Sequence, residues 1–375
     1  MSAIDDYILS KLEQRKKDNN FRSLKITEGL TDFYSNDYLG FARSEKLQQK
    51  IQQELGNIGV SFIGSTGSRL LSGNNNYVES LEKYLAQFHG IESALLFNSG
   101  FDANYGLLST LPYRGDTIIY DELVHASIHD GIRNSRASSV PFRHNSAADL
   151  EEKLRAATGL KYIVIESLYS MDGDLAPLKE ITHLAEKYGA GLIIDEAHAT
   201  GIMGNRGEGF VGTEIPDKPV LARIHTFGKA LGAHGAVVLC SENLRQFLIN
   251  YCRPFIFSTA LPLHSLVAIK CAYEMLEDSQ ALRQKLSSLI SLFRKQVKEK
   301  ENFQLITSDS PIQSIIVSGN SNAKEFAAKI QQKGMDVRAI LHPTVARGKE
   351  RIRICLHSFN TEQEVNKLAE IINSL

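Results

Sequence analysis

The sequence predicts an α/β protein built around a mostly parallel sheet, and three observations carry that prediction. Short β-branched or apolar runs, Ala94–Phe97, Thr117–Tyr120, Tyr162–Ile165, Leu192–Ile194, Ile224–Phe227 and Ala236–Leu239, alternate with helical stretches or glycine-bearing turns. The runs Tyr162-Ile-Val-Ile165 and Leu192-Ile-Ile194 lack polar alternation, as strands covered on both faces require. The chain has 375 residues, 43% hydrophobic and 23% charged. At roughly 100–200 residues per domain that is room for two or three domains with a well-buried core.

Residues 5 to 20 are polar, with Ile8 and Leu12 four apart, and predict a short surface helix packing one edge on something larger. Val78, Leu81, Leu85 and Phe88 recur at helical spacing, as do Leu178, Ile181, Leu184 and Ala185 before Tyr188-Gly189 closes the turn; these read as crossover helices. Gly201, Gly204, Gly207 and Gly209 do not spell the dinucleotide fingerprint and read as a flexible loop. Leu261 to Leu276 is apolar but broken by His264 and Lys270, too short to span a bilayer, and reads as a buried helix. After it come a long helical segment, Leu282–Lys300, and a strand, helix, strand, helix order ending at Leu375. The pattern divides the chain into an N-terminal segment 1–35, a large domain 36–270 and a smaller C-terminal α+β domain 271–375.

Lys+Arg 42 against Asp+Glu 43 leaves a net charge of -1, so no basic field exists to hold a nucleic-acid backbone. Cys240, Cys252, Cys271 and Cys355 form no Cys-x-x-Cys pair, which predicts neither a metal site nor a disulfide framework and suits a reducing cytoplasm. The start of the chain carries Asp5 and Asp6 and lacks the basic and apolar stretches of a signal peptide, so export is not expected.

Ligands of open α/β sheets bind beyond the carboxyl ends of strands, and the chemistry-bearing residues gather there. Asp195, Glu196 and His198 follow one strand, Thr226 and Lys229 another. Asn98-Ser99-Gly100-Phe101 opens a helix whose first N–H groups suit an anion such as phosphate. Singly, Asp195 could be a helix N-cap, Lys229 a solvated side chain, and His125 and His198 packed histidines; together at strand ends they mark a site. Asp195-Glu-Ala-His198 spells the acidic box of some helicases, but Gly228-Lys229-Ala230 lacks the Ser/Thr of a phosphate loop, so the nucleotide-hydrolase reading fails.

Ten ordered motifs then carry a family resemblance over nearly the whole chain: Asn36-Asp-Tyr-Leu-Gly40, Gly67-Ser-Arg-Leu-Leu-Ser-Gly73, Asn98-Ser-Gly-Phe101, His125-Ala-Ser127, Glu166-Ser167, Ser170-Met-Asp-Gly173, Asp195-Glu-Ala-His-Ala-Thr-Gly201, Thr226-Phe-Gly-Lys229, Ser258-Thr259 and Arg351-Ile-Arg353. The sequence resembles the α-oxoamine synthases, pyridoxal-phosphate enzymes of the aspartate-aminotransferase fold (type I). The resemblance implies a large, mostly parallel-sheet domain that binds the cofactor, with a smaller C-terminal α+β domain. It implies that Lys229 carries pyridoxal phosphate through its ε-amine and then serves as the proton-transfer base. Asp195 would pair with the pyridine nitrogen, His198 would hydrogen-bond the ring's phenolic oxygen with Ser167 as neighbour, and His125 would stack on the ring. The phosphate would rest on the Gly100 and Phe101 amides and the Thr226 hydroxyl. Thr259 would reach the phosphate of a neighbouring subunit, implying a homodimer. Arg353 would clamp the substrate carboxylate with help from Asn36. Arg351 lies on the same strand face, so the choice of Arg353 rests on the resemblance.

The implied reaction is decarboxylative condensation of an amino acid with an acyl-CoA thioester, releasing CoA and CO2. Thr226-Phe-Gly-Lys229, Asp195-Glu-Ala-His-Ala-Thr and Ser258-Thr-Ala-Leu-Pro262 resemble most the members that join L-alanine to a pimeloyl thioester in biotin synthesis. Glycine with acetyl-CoA and L-serine with palmitoyl-CoA are the alternatives. Val78 stands where the family often has histidine, and His342-Pro-Thr-Val-Ala346 and Leu356-His-Ser-Phe-Asn360 also depart from its pattern, which leaves the acyl specificity and the edge of the carboxylate site open. Two rivals of other classes are a catalytically silent partner subunit, which would usually have lost the lysine, and an aminotransferase or decarboxylase, which would release no CoA.

Overall fold

The structure, a computed structural model, describes every residue except Met1, Thr27, 60–63, 216–219 and Asn302. Its larger unit comprises Leu39–Ser170 and Leu175–Arg283. Seven strands there form one sheet: β1 (Ser93–Phe97), β2 (Thr117–Asp121), β3 (Ser138–Phe142), β4 (Lys161–Glu166), β5 (Gly191–Asp195), β6 (Ala222–Thr226) and β7 (Ala236–Cys240), in the spatial order β1-β7-β6-β5-β4-β2-β3. β3 to β6 and β2 run parallel, and β7 lies antiparallel between β1 and β6.

The continuous apolar runs are buried because successive residues feed opposite faces. Val164, Ile193 and Ile224 join Leu95, Leu107, Ile118 and Ile128 in one cluster. Ile163, Ile165, Leu192 and Ile194 join Ile119, Leu150, Ile181 and Leu184 in another. The helices Asn76–Phe88 and Leu178–Tyr188 form where periodicity predicts them, the second closed by Gly189 at φ 59°. β3 carries no apolar run that marks a strand: its Ser-Ser-Val-Pro-Phe stretch is mostly exposed, and it is an edge strand, the place in a sheet that tolerates proline. The larger unit extends past residue 270, because the helix Leu263–Glu277 packs on the helix Glu45–Ile58.

The glycine-rich stretch is not the loose loop its composition suggests. Gly201 N–H donates to Gly207 O at 2.8 Å, and the buried Glu196 carboxyl accepts from Phe210 N–H and Val211 N–H at 2.7 and 3.0 Å. Burial pushes the Glu196 carboxyl up to about 7, against the lowering pull of Arg223 and those two N–H groups. Gly209 sits at φ 108°, and a Cβ there would fall 1.8 Å from Glu196 Oε2. Gly209→Ala is therefore expected to cost about 2–4 kcal/mol of stability, read as a lower urea midpoint with unchanged slope.

The smaller unit comprises Met1–Tyr38, Met171–Asp174 and Gln284–Leu375. Its strands β8 (Gln304–Leu305), β9 (Ile312–Ile316), β10 (Arg338–Ile340) and β11 (Arg351–Cys355) make an antiparallel sheet in the order β10-β11-β9-β8. The helices Asn320–Gln332 and Glu362–Ser374 bury Phe326 and Ile330, and Leu368 and Ile372. Gly173 is required where it stands: at φ 76°, a Cβ would lie 2.2 Å from Ile312 O. The N-terminal helix forms, over Ala3–Lys17, but no residue of it is buried and Ile8 and Leu12 are 48% and 39% exposed. Among the described residues none of its side chains is buried against the rest of the chain; a Ser2–Asp5 capping box and a basic last turn hold its ends.

Candidate active site

Strand parity selects the residues that can meet. Asp195 shares the face of Ile193, and Thr226 that of Ile224; this is the face covered by the helix Gly100–Thr110, whose Ala103 and Leu107 belong to the same cluster. Asp195 ends β5 buried, 5% exposed, with Oδ1 accepting Ala197 N–H at 2.8 Å and Oδ2 accepting Asn104 Nδ2 at 2.6 Å. Its cap-like bond to Ala197 exists, yet the second oxygen is turned inward to another helix, which an ordinary cap does not need. Glu166 ends β4 directly opposite Asp195. Burial, reinforced by the Asp195 carboxylate, raises Glu166 well above the usual carboxyl range, and its Oε1 is buried without a hydrogen-bond partner.

His125 caps the helix Ala126–Asn134 and is held at Nδ1 by Ser127. Burial keeps it below the usual histidine range; the Asp195 carboxylate opposes that shift and the Lys229 ammonium adds to it. Lys229 also lowers Glu166. The acid, the histidine and the lysine named from sequence thus share one electrostatic environment. His198 is buried, 5% exposed, in the turn after β5.

The helix Gly100–Thr110 starts at the end of β1, with Ser99 as N-cap, its Oγ accepting from Asp102 N–H. That leaves the Gly100 and Phe101 N–H groups at the open end. A Cβ on Gly100 would lie 3.5 Å from Thr226 Oγ1, so the helix start and that hydroxyl line one small concavity. Thr259 stands exposed, its carbonyl accepting Asn98 Nδ2 at 2.8 Å.

Ser167 is a correction. One residue past Glu166, parity turns it to the opposite face, beside the Glu196 carboxyl. It does not join Asp195, His125 and Thr226. Ser170 is nearer to that group, its backbone N–H donating to the Glu166 carboxyl. Asn104 is the residue that sequence reasoning missed. A polar side chain amid Ala103, Gly106 and Leu107 on a buried helix face was the signal that could have found it.

In the smaller unit, Arg353 on β11 donates to Asn36 Oδ1 at 2.9 Å and Tyr38 Oη at 3.4 Å. Asn36 is held there by β11 and the residues after it: Cys355 N–H bonds Phe33 O, Ser358 N–H bonds Tyr38 O, and His357 Nε2 lies 2.9 Å from Ser35 O. Arg351, its rival in the sequence, is committed to the Asp172 carboxylate. The two arginines are thereby told apart: one is an ion pair, the other is grouped with neutral oxygens.

The donor set fits pyridoxal phosphate: two helix N–H groups beside a hydroxyl for an anion, a buried carboxylate on the same sheet face, a primary amine, and a histidine in the field of that carboxylate and that amine. Among the described residues no group of three or more His, Cys, Asp or Glu is placed to hold a metal ion, and no helix is long and apolar enough to cross a membrane.

Residues 28–372 match the family described as aminotransferase class I and II. The chain is 41% identical over 385 residues to an 8-amino-7-oxononanoate synthase of Emericella nidulans, covering 96% of this chain and 93% of that one. Its fold superposes on serine palmitoyltransferase from S. paucimobilis with bound PLP at a TM-score of 0.89 and 25% identity, covering 100% and 98% of the two chains. A crystal structure of 8-amino-7-oxononanoate synthase from Francisella tularensis matches at 0.78 and 28%, covering 93% and 98%.

Proposed function

The chain belongs to the aminotransferase class I and II family and, within it, to the α-oxoamine synthases; from that premise we propose that it condenses L-alanine with a pimeloyl thioester, giving 8-amino-7-oxononanoate, CoA and CO2 in biotin synthesis. The observation that carries the activity is the full-length likeness to 8-amino-7-oxononanoate synthases. The chemistry is supported by the buried Asp195 carboxylate on the sheet face that also carries the Gly100 helix start. Pyridoxal phosphate, when bound, supplies an electron sink for the negative charge that forms at the substrate Cα.

The residues of the chain do the rest. Gly100, Phe101 and Thr226 would bind the phosphate, and the buried Asp195 carboxylate would hold a proton on the pyridine nitrogen. His125 and His198 fix the ring plane, so that the bond to be broken at Cα stays aligned. Lys229 would hold the cofactor through its ε-amine and, as a free amine, would take the proton from the substrate Cα. Arg353 with Asn36 binds the amino-acid carboxylate, since a planar guanidinium matches a planar anion through two parallel bonds. Thr259, exposed on the larger unit, serves the phosphate of a second copy, and the working protein is a cytoplasmic homodimer.

Thiol release by the pyridoxal-phosphate-loaded protein tests the reaction: L-alanine, glycine or L-serine, each with pimeloyl-, acetyl- or palmitoyl-CoA. Release with L-alanine and pimeloyl-CoA alone is the expected result. Release with L-serine and palmitoyl-CoA would instead follow the serine palmitoyltransferase likeness, and silence in every pair would count against the proposed reaction, pointing to a carrier-bound acyl donor or to a protein that is not a synthase. Arg353→Lys keeps the charge but loses the fork, so the KM for the amino acid is expected to rise about 10–100-fold with kcat changed much less.

A further inference from the structure

Four side chains of the larger unit form one hydrogen-bonded line. Asn104, in the second turn of the helix Gly100–Thr110, is 3% exposed and gives away both hydrogens of its amide nitrogen. One goes to Asp195 Oδ2 at 2.6 Å, the other to Ser127 Oγ at 3.1 Å. Ser127 Oγ lies 2.8 Å from His125 Nδ1, and the Ser127 backbone N–H donates to the same nitrogen at 3.2 Å.

The direction of each bond is fixed from the two ends. An ionised carboxylate only accepts, so Asn104 presents nitrogen rather than oxygen to Asp195. A backbone N–H only donates, so His125 Nδ1 is an acceptor. Ser127 Oγ has already accepted from Asn104, and its single hydrogen is left for Nδ1.

We propose that Asn104 is a positioning residue whose one amide both orients the Asp195 carboxylate and, through Ser127, fixes the tautomer of His125 with its proton on Nε2. Two donors aimed at Nδ1 leave no room for a proton there, so the imidazolium is disfavoured and the ring stays neutral. The charged and titratable groups facing His125 do not settle this alone: Asp195 and Asp130 favour the imidazolium, while Lys229 opposes it and His129 is a second titrating ring nearby. The Glu166 carboxyl takes the His125 backbone N–H and leaves the ring to Ser127. The consequence for function, a neutral ring held at one pitch beside a carboxylate held at another, rests on the roles given above to His125 and Asp195. The relay itself can be read without turnover.

The test uses full-length protein labelled with 15N-histidine, with and without pyridoxal phosphate. Long-range 1H–15N spectra are followed over pH, and His125 is assigned by its loss in His125→Asn. The wild-type ring is expected as the Nε2–H tautomer. Asn104→Leu and Ser127→Ala are each expected to mix the tautomers and raise the His125 midpoint by about one pH unit, a tenfold gain in proton affinity. A folded Asn104→Leu protein whose His125 keeps the wild-type tautomer and midpoint overturns the proposal, even if Ser127→Ala shifts them. So does a wild-type ring protonated at Nδ1. Should Asn104→Leu not fold, Asn104→Ser, too short to span both partners, replaces it with the same two readings. Because the readout is the imidazole, a failure of thiol release would count against the proposed reaction and leave the relay standing.

Discussion

Lys229→Ala is expected to abolish the absorbance of the bound cofactor above 400 nm and to lower turnover by about four orders of magnitude or more, because in the proposed mechanism one side chain serves as covalent anchor and as base. Two observations support placing that role here. Lys229 lies in the loop that follows β6, and its charge reaches both His125 and Glu166, on the strand-end side where Asp195 is buried. The variant should still fold, since Lys229 is only half-buried and the turn it occupies is closed by the backbone bonds Gly232 N–H to Lys229 O and Ala233 N–H to Phe227 O. Absorbance titrations with pyridoxal phosphate and the thiol-release assay read the two effects separately. Turnover within tenfold of wild type would remove Lys229 from the mechanism.

Asp195→Asn is expected to lower turnover by about 10²–10⁴-fold while leaving the fold intact. The substituted amide can turn its oxygen toward Asn104 Nδ2, so the 2.6 Å contact survives as a neutral hydrogen bond, while Ala197 N–H loses the acceptor it has in Asp195 Oδ1. The larger loss is the negative charge, with which Asp195 would keep a pyridine nitrogen protonated in the proposed mechanism. A second consequence follows at Glu166. Its raised pKa comes first from burial and next from the Asp195 carboxylate, so removing that charge should lower the Glu166 pKa without bringing it to the ordinary range. Equal kcat in the two proteins, with equal cofactor affinity, would mean that the carboxylate does not act on the ring.

The contrast between Asp195 and Ser167 shows how far the sequence could be read. Asp195 and Thr226 were legible because each ends a run of apolar residues, and a period of two then assigns a face once the sheet is known. Ser167 fails by the same rule: it was named for its place in a motif, but it stands one residue past Glu166, and one residue reverses the face. Asn104 was invisible for a different reason. A buried asparagine in a helix has no spacing signature, and its importance comes from what two other segments, Asp195 and Ser127, bring to it. The N-terminal helix shows the limit of periodicity, since Ile8 and Leu12 recur at the right interval and yet neither is buried.

The sequence by itself determined the α/β class, six of the seven strands of the large sheet and the helices Asn76–Phe88 and Leu178–Tyr188, because each follows from local periodicity; only the second helix is a crossover, joining the parallel β4 and β5, since the first precedes β1. The acid, lysine and histidines proposed for the site were named from motifs contiguous in the chain. Only the tertiary structure decided which of two neighbouring arginines is an ion pair with Asp172 and which is grouped with Asn36, that burial beside Asp195 raises the Glu166 carboxyl, and that Asn104 ties Asp195 to Ser127 and His125. Those are properties of distance and burial between residues far apart in the chain. Coulomb energy and desolvation depend on where the fold brings such groups together and on how much water it leaves between them.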